Sequence, residues 1–312
     1  MGNSKNPLEG NVLAVARLMR SIEDEAPEAV AAMEDVYHHT GRAFIVGLTG
    51  VPGAGKSSLI GTLIPNFRKK NMSVGVVAVD PTSPFTGGAI LGDRIRMQNY
   101  GIDKEVFIRS LASRGWKGGL SKATVNIVHV MDAMGKDIIF VESVGAGQNE
   151  VDIARVADTT LVLLIPGMGD EIQMMKAGIL EVADIFVVNK ADREGADNVK
   201  TWLEVTLGMK NYPAGVWKPR VVMTDALSER GIDELADAIL QHKDFLVASG
   251  ELEKRRKTRA RLELMMAVES YLNDYISTMD KGYLEGLVDK LAQREIHPRS
   301  AATEIIKPFK DS

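Results

Sequence analysis

Short, unbroken apolar runs recur along this chain, separated by segments that favour helix. Phe44-Ile45-Val46-Gly47-Leu48, Val74 to Val79, Phe107-Ile108-Arg109, Ile138 to Val141, Thr160 to Ile165, Ile185 to Val188 and Val221 to Met223 make up the series. A strand buried on one face alternates apolar and polar residues, whereas a run that is apolar throughout is buried on both faces, as in a parallel sheet. Parallel neighbours need long crossovers, usually helical. The segments near Lys56 to Lys69 and Ala123 to Met134 read as such helices. The expected fold is α/β, a mostly parallel sheet with helices on both faces, over residues 41–247.

The flanks read differently. Residues 1–40 form an N-terminal helical extension, with Val12, Ala14, Leu18 and Met19 as a partial stripe. Pro27 suits the start of a second helix and Gly41 its C-cap. Residues 248–312 read as a charged helical arm in which Leu262, Met265, Met266, Val268, Leu272 and Ile276 fall near helical spacing. Gly282 is expected to interrupt it before a last helix that runs to about Gln293. The basic run Lys254-Arg255-Arg256-Lys257, beside Glu251 and Glu253, reads as a solvated helix face.

Composition removes several classes of function. A formal net charge of −4 gives no broad basic field for nucleic acid or an anionic membrane. With no cysteine, disulfides, thiolate zinc sites and cysteine nucleophiles are excluded. His38 and His39 are sequence neighbours and do not share a helix face, so they make a poor chelate. No apolar run is long enough to span a bilayer and no secretory signal stands at the N-terminus, so a cytoplasmic protein is expected.

The chemistry is concentrated after the strand ends. Gly50-Val51-Pro52-Gly53-Ala54-Gly55-Lys56-Ser57 fits G-x-x-x-x-G-K-[ST] in full, between a strand and a helix. Glycines let successive backbone N–H groups wrap phosphate oxygens, and the helix N-terminus adds a favourable dipole. Lys56 is expected to reach the β- and γ-phosphates, Ser57 to bind Mg²⁺, and Ser58 to complete the loop's contacts. The fold expectation thereby narrows to a P-loop NTPase. Asn189-Lys190-Ala191-Asp192 follows the run Ile185 to Val188 and matches the N-K-x-D element. A carboxylate at Asp192 can accept from N1–H and the exocyclic amine of guanine, a donor pair that adenine lacks. Thr224-Asp225-Ala226 stands where a backbone contact to the guanine carbonyl is expected, through Thr224 and Ala226. GTP and GDP are thus the expected nucleotides.

Carboxylates at strand ends should face the phosphates, because ligands of parallel sheets sit beyond the carboxyl ends. Asp80 and Glu142 are the candidates, both as catalytic residues with Lys56 and as Mg²⁺ partners with Ser57. Asp93 is a possible third carboxylate, with a helix cap as its alternative. The Gly145 N–H is a candidate γ-phosphate sensor. The Ser113 to Gly119 loop reads either as a switch or partner contact, or as a plain surface loop.

Taken together these residues resemble the MeaB/ArgK-type GTPases that serve B12-dependent acyl-CoA mutases. The resemblance covers nearly the whole chain. It rests on Ala78-Val79-Asp80-Pro81-Thr82-Ser83-Pro84, on Gly87 to Met97, on Arg114-Gly115 with Gly118-Gly119-Leu120-Ser121, on Val144-Gly145-Ala146-Gly147-Gln148, and on Pro166 to Gln173. It implies a GTPase chaperone that gates adenosylcobalamin delivery to a mutase and protects it. It also implies a homodimer joined through the C-terminal arm, and places Asp80, Asp93 and Glu142 in the Mg²⁺ shell and switch regions. Asp225 stands where a serine is commoner.

Ala146 occupies the place where Ras-like proteins put a water-orienting glutamine, so slow, partner-assisted hydrolysis is expected. Asp80 is the candidate for orienting the water or the metal's water shell, ahead of Gln148. Three other readings stay open: a kinase linked to amino-acid transport, a nickel-loading metallochaperone GTPase, and a scaffold that binds GTP without turnover. No protein-kinase catalytic loop and no His-rich tract is present.

Overall fold

The computed structural model describes residue 8 and residues 11–80, 103–112, 121–143, 153–167 and 178–310. Among them, seven parallel strands form one sheet: β1 (Phe44–Gly50), β2 (Val74–Asp80), β3 (Val106–Ala112), β4 (Ile138–Glu142), β5 (Thr159–Leu164), β6 (Ile185–Asn189) and β7 (Arg220–Thr224). Their order is β3-β2-β4-β1-β5-β6-β7. The chain winds to one side of β1 and then to the other, so β1 borders the crevice where such sheets bind ligands.

Every residue of β1 is buried, yet its side chains still alternate between two cores. Phe44, Val46 and Leu48 join α3 (Lys56–Lys69) and the later helix Ile232–Ser249 on one face. Ile45 joins α1 (Val12–Glu23), α2 (Pro27–Tyr37) and α4 (Lys122–Ala133) on the other. Short helices α5 (Ile153–Val156) and α6 (Ile179–Val182) and the longer α7 (Ala196–Gly208) complete the crossovers. Gly47 lets α5 close on β1, since a Cβ there would lie 2.9 Å from Ile153.

The N-terminal stripe differs from the one expected. Val15, Met19 and Ile22 are the buried residues of α1, at helical spacing, and Val12 is exposed. α2 starts at Pro27 as expected but ends at Tyr37, and Gly41 belongs to the following turn. That turn is held by Asp132, whose carboxylate accepts from the N–H groups of Gly41, Arg42 and Ala43.

The same device recurs at the leading edge of the sheet, where N–H groups near the start of a strand would otherwise lack a partner. Asp158 accepts from Ile45 N–H, Asp184 from Thr160 N–H, and Asp137 from Ser73 N–H. Asp184 is buried and is met by Arg255 through two 2.8 Å bonds, with a third from Arg255 to the Asp158 carbonyl. Arg256 donates to the carbonyls of Gly41 and Ala43. Half of the basic run is therefore anchored, against the expectation of a solvated face; Lys254 and Lys257 pair with Glu251 and Glu253. Periodicity carries no sign of this, because an arginine stem looks the same whether its head meets water or a carboxylate.

The chain divides into two compact units, Met1–Lys257 and Thr258–Ser312. The helices after β7 are α8 (Ile232–Ser249), α9 (Glu251–Thr278), α10 (Lys281–Ala292) and α11 (Pro298–Lys310). The break after α9 is made by Asp280, which caps α10 at Tyr283 N–H, and Gly282 lies inside α10. Helix α11, opened by Pro298, went unread in the sequence. α9 has no buried residue and exposes Leu264, Met265, Val268 and Tyr271. No helix of the described residues is long and apolar enough to cross a membrane.

His242 of α8 is fully buried against Trp217, with Nδ1 2.8 Å from Thr159 Oγ1 and Nε2 3.4 Å from Asp184. Burial drives its pKa down from 6.5 to about 4; Asp184 opposes the shift and Arg255 adds to it. The neutral ring therefore stabilises the fold above pH 6.5, and this contribution is lost as the pH falls from 6.5 toward 4. Urea unfolding should show the stability gap between wild type and His242→Asn shrinking by about 2–3 kcal/mol from pH ~7.5 to pH ~4.5. A gap that does not change with pH would mean that the ring is not held neutral.

Candidate functional site

The loop Gly50 to Ser57 leaves β1 at the carboxyl edge of the sheet and enters α3. Its shape demands glycine at two places. Gly50 has φ 141°, and a Cβ there would lie 2.4 Å from the Leu163 carbonyl of β5. Gly55 has φ 89°, and its Cβ would lie 2.6 Å from the Asn189 side-chain nitrogen. The loop thus turns where no side chain fits. Val51, Pro52, Gly53 and Ala54 form its bend, and Ser58 sits half-buried in the first turn of α3.

Lys56 is buried at the root of the loop, and its ammonium donates to the carbonyls of Gly50 at 2.8 Å and Val51 at 3.3 Å. The Ser57 hydroxyl donates to Glu142 Oε1 at 2.8 Å. Glu142 ends β4 and is buried beside β1, in register with Leu48. Ser143 continues this seam, donating to Thr49 Oγ1. The Ser57 and Glu142 oxygens form a hard donor pair. That pair fits Mg²⁺, which keeps most of its shell for water and phosphate oxygens. Among the described residues no cluster of three or more His, Asp or Glu offers a rival metal site.

The second predicted motif is brought against the first. Asn189 ends β6, buried, and its amide donates to the Ala54 carbonyl at 2.7 Å. Lys190 adopts φ 58°, sparsely populated for a residue with a side chain, and its ammonium donates to the Gly53 carbonyl at 2.8 Å. Asp192 is exposed in the turn that follows. Thr224, paired with Asn189 across β6 and β7, donates its hydroxyl to Asn189 Oδ1 at 3.1 Å and its carbonyl accepts from Ala191 N–H at 3.0 Å. Ala226 follows, almost fully buried. Three loops that are far apart in sequence therefore meet at one edge, stitched by hydrogen bonds.

The remaining candidates divide. Asp80 ends β2 at the same edge, two residues past Ala78, which is in register with Glu142; its side chain lies outside the described residues. Asp93, Gly145, Ala146, Gln148 and the Ser113 to Gly119 loop also lie outside them.

Residues 15–281 match the family model described as methylmalonyl Co-A mutase-associated GTPase MeaB. The chain belongs to this family. A putative GTPase of Pyrococcus abyssi is 46% identical to it over 96% of this chain and 93% of its own length. The GTPase ArgK of Escherichia coli is 36% identical over 81% of this chain and 78% of its own. Among solved structures, the LAO/AO transport system kinase superposes with a TM-score of 0.70, at 27% identity, covering 97% of this chain and 95% of that one. The fold is that of the P-loop NTPases, and the chain is a GTPase of the MeaB family.

Two residues of consequence escaped the sequence reading. In the sequence Asp225 reads only as a substituted position, although Asp is a favoured turn residue because its carboxylate can accept from the backbone N–H two residues on. Arg255 reads as solvated in the sequence, and no local signal distinguishes it from its neighbours.

The Ser57–Glu142 pair yields a direct test. Glu142→Gln keeps an acceptor for Ser57 but removes the charge. The Mg²⁺ concentration needed for half-maximal binding of a fluorescent GTP analogue should rise about tenfold, as for loss of one charge-assisted contact. A requirement that stays where it was would confine Glu142 to holding the loop.

Proposed function

We propose that this MeaB-family GTPase binds GTP with Mg²⁺ at the sheet edge and hydrolyses it to gate delivery of adenosylcobalamin to a B12-dependent acyl-CoA mutase. The observation that carries this reading is the convergence of the Gly50–Ser57, Asn189–Asp192 and Thr224–Ala226 loops, in a chain whose family is described as associated with methylmalonyl-CoA mutase. In this reading the N–H groups of Gly50 to Ser58 cradle the phosphates and Lys56 turns from its loop carbonyls to the β- and γ-phosphates. Asp192 accepts from guanine N1–H and the 2-amine, the stem of Lys190 lies along the base, and Ala226 N–H meets the 6-oxo group. Ser57 and Glu142 would hold Mg²⁺, with Asp80 and Asp93 toward its shell, and the ion would supply positive charge against the phosphate oxygens. Asp80 orients the water that attacks the γ-phosphorus, and Gly145 N–H senses that phosphate. GDP leaves with the bridging oxygen, and the mutase supplies what the chain lacks for speed.

Hydrolysis by the pure protein should be slow, and one B12-dependent mutase should stimulate it at least about tenfold and co-elute with it. Asp80→Ala should lose hydrolysis far more than GTP binding. Turnover that no mutase changes, or phosphate transferred to a protein acceptor, would remove the chaperone reading and favour the kinase one.

We also propose a homodimer formed through α9. The support is the row Leu264, Met265, Val268 and Tyr271, exposed along the helix at spacings that share a face. Sedimentation should show a dimer for wild type and a monomer for Leu264→Lys/Val268→Glu. A double variant that still sediments as a dimer would move the interface elsewhere.

A further inference from the structure

The loop after β7 is closed in an unusual way. Asp225 N–H donates to the Arg230 carbonyl at 2.9 Å and Arg230 N–H donates back to the Asp225 carbonyl at 3.1 Å. Between these paired ends the chain turns through Glu229, at φ 58°. The Asp225 carboxylate is folded into this turn and not out toward the crevice. One oxygen accepts from Leu227 N–H at 3.0 Å and the other from the Ser228 hydroxyl. The ring is fixed from outside as well. Thr224 is tied to Asn189 and Ala191, and at Gly231 (φ 75°) a Cβ would lie 2.0 Å from the Met223 carbonyl. Ala226 sits inside the ring, one residue past the carboxylate, and its N–H has no acceptor among the described residues.

We propose that Asp225 is a positioning residue for guanine, which uses its carboxylate as an internal brace to present the Ala226 N–H to the purine 6-oxo group. This inference rests on the guanine-nucleotide reading above. The physical case has two parts. A free carboxylate beside a carbonyl oxygen would repel it, so an aspartate is tolerated here only when its charge is spent on other donors. The Ser228 hydroxyl and Leu227 N–H are those donors, and they hold the carboxyl pKa below its usual value, so the brace stays ionised at neutral pH. The second part is entropic: a loop of Ala226 to Glu229 without the brace has to be ordered by the nucleotide itself, which weakens binding. A side chain that touches no atom of the base then governs how sharply the 6-position is read.

The experiment measures displacement of a fluorescent GDP analogue by GDP, IDP, ADP and 6-thio-GDP. IDP lacks the 2-amine read by Asp192, whereas 6-thio-GDP keeps N1–H and the 2-amine but carries a poor acceptor at position 6. Wild type should bind GDP about tenfold more tightly than either analogue, the worth of one well-made hydrogen bond to a fixed donor. Asp225→Ala should keep the preference over IDP and reduce the preference over 6-thio-GDP to about twofold or less. Asp225→Asn, whose oxygen still accepts from Leu227, should restore most of it, and Asp225→Ser should fall between. An Asp225→Ala protein that discriminates 6-thio-GDP as wild type does overturns the inference. So does a wild type that prefers GDP to IDP yet ignores sulfur at position 6. Should Asp225→Ala fail to fold, Asp225→Ser decides, and a wild-type ratio there overturns the inference. A wild type indifferent among GDP, IDP and ADP removes the guanine reading itself, and the brace with it.

Discussion

The side-chain amide of Asn189 is the point on which the nucleotide edge of this protein depends. Its nitrogen donates to the Ala54 carbonyl and its oxygen accepts from the Thr224 hydroxyl, so one buried group ties the phosphate loop to both of the base-reading loops. A buried amide is costly unless both ends are satisfied, and here each end is satisfied by a different loop. Moving any one of the loops breaks a bond in a place that water does not reach. Gly55 belongs to the same arrangement, because only a glycine leaves room for that amide. The site is therefore rigid through mutual constraint among segments that carry little regular structure themselves, a sound base for a constellation that must hold a polyphosphate and a purine at fixed separation.

At the opposite edge of the sheet the constraint is ionic. Four aspartates cap the starts of strands or the turns that lead into them, and Arg255 closes one of these buried sites, Asp184, with a bidentate pair. Burial by itself would lower the Arg255 pKa, yet the bonds to Asp184 raise it on balance. An ion pair of this kind is weak evidence for net stability, but removing one partner would strand the other. The pair ties the first turns of α9 to the segments that lead into β5 and β6.

Much of this was legible in the residues. Strands were readable because runs apolar throughout are rare outside parallel sheets, and the nucleotide edge was readable because Gly50 to Ser57 and Asn189 to Asp192 carry their chemistry in contiguous form. What resisted reading was long-range. Arg255 and Arg256 look like any solvated basic pair until Asp184 and the Gly41 turn are placed near them. Val12 looked like part of a stripe because its spacing fits, but burial follows Val15, Met19 and Ile22, the face that α4 covers. Asp225 reads in the sequence as a departure from a common serine, and its contacts depend on Ser228 and Arg230, residues that matter only once the turn is closed. Helix α11 follows a Pro298 start that a short polar segment hides.

The aspartate caps also bear on biosynthesis. Each cap is supplied by a residue that leaves the ribosome after the strand it serves: Ile45 waits 113 residues for Asp158, Ala43 waits 89 for Asp132, Thr160 waits 24 for Asp184, and Asp184 in turn waits 71 for Arg255. The central strand is thus translated early and completed late. Until the distal partners emerge, its leading N–H groups and its apolar faces are exposed together, the combination that holdase chaperones bind and that aggregation exploits. A nascent chain of this kind is completed in stages, as Asp132, Asp158, Asp184 and finally Arg255 come into reach.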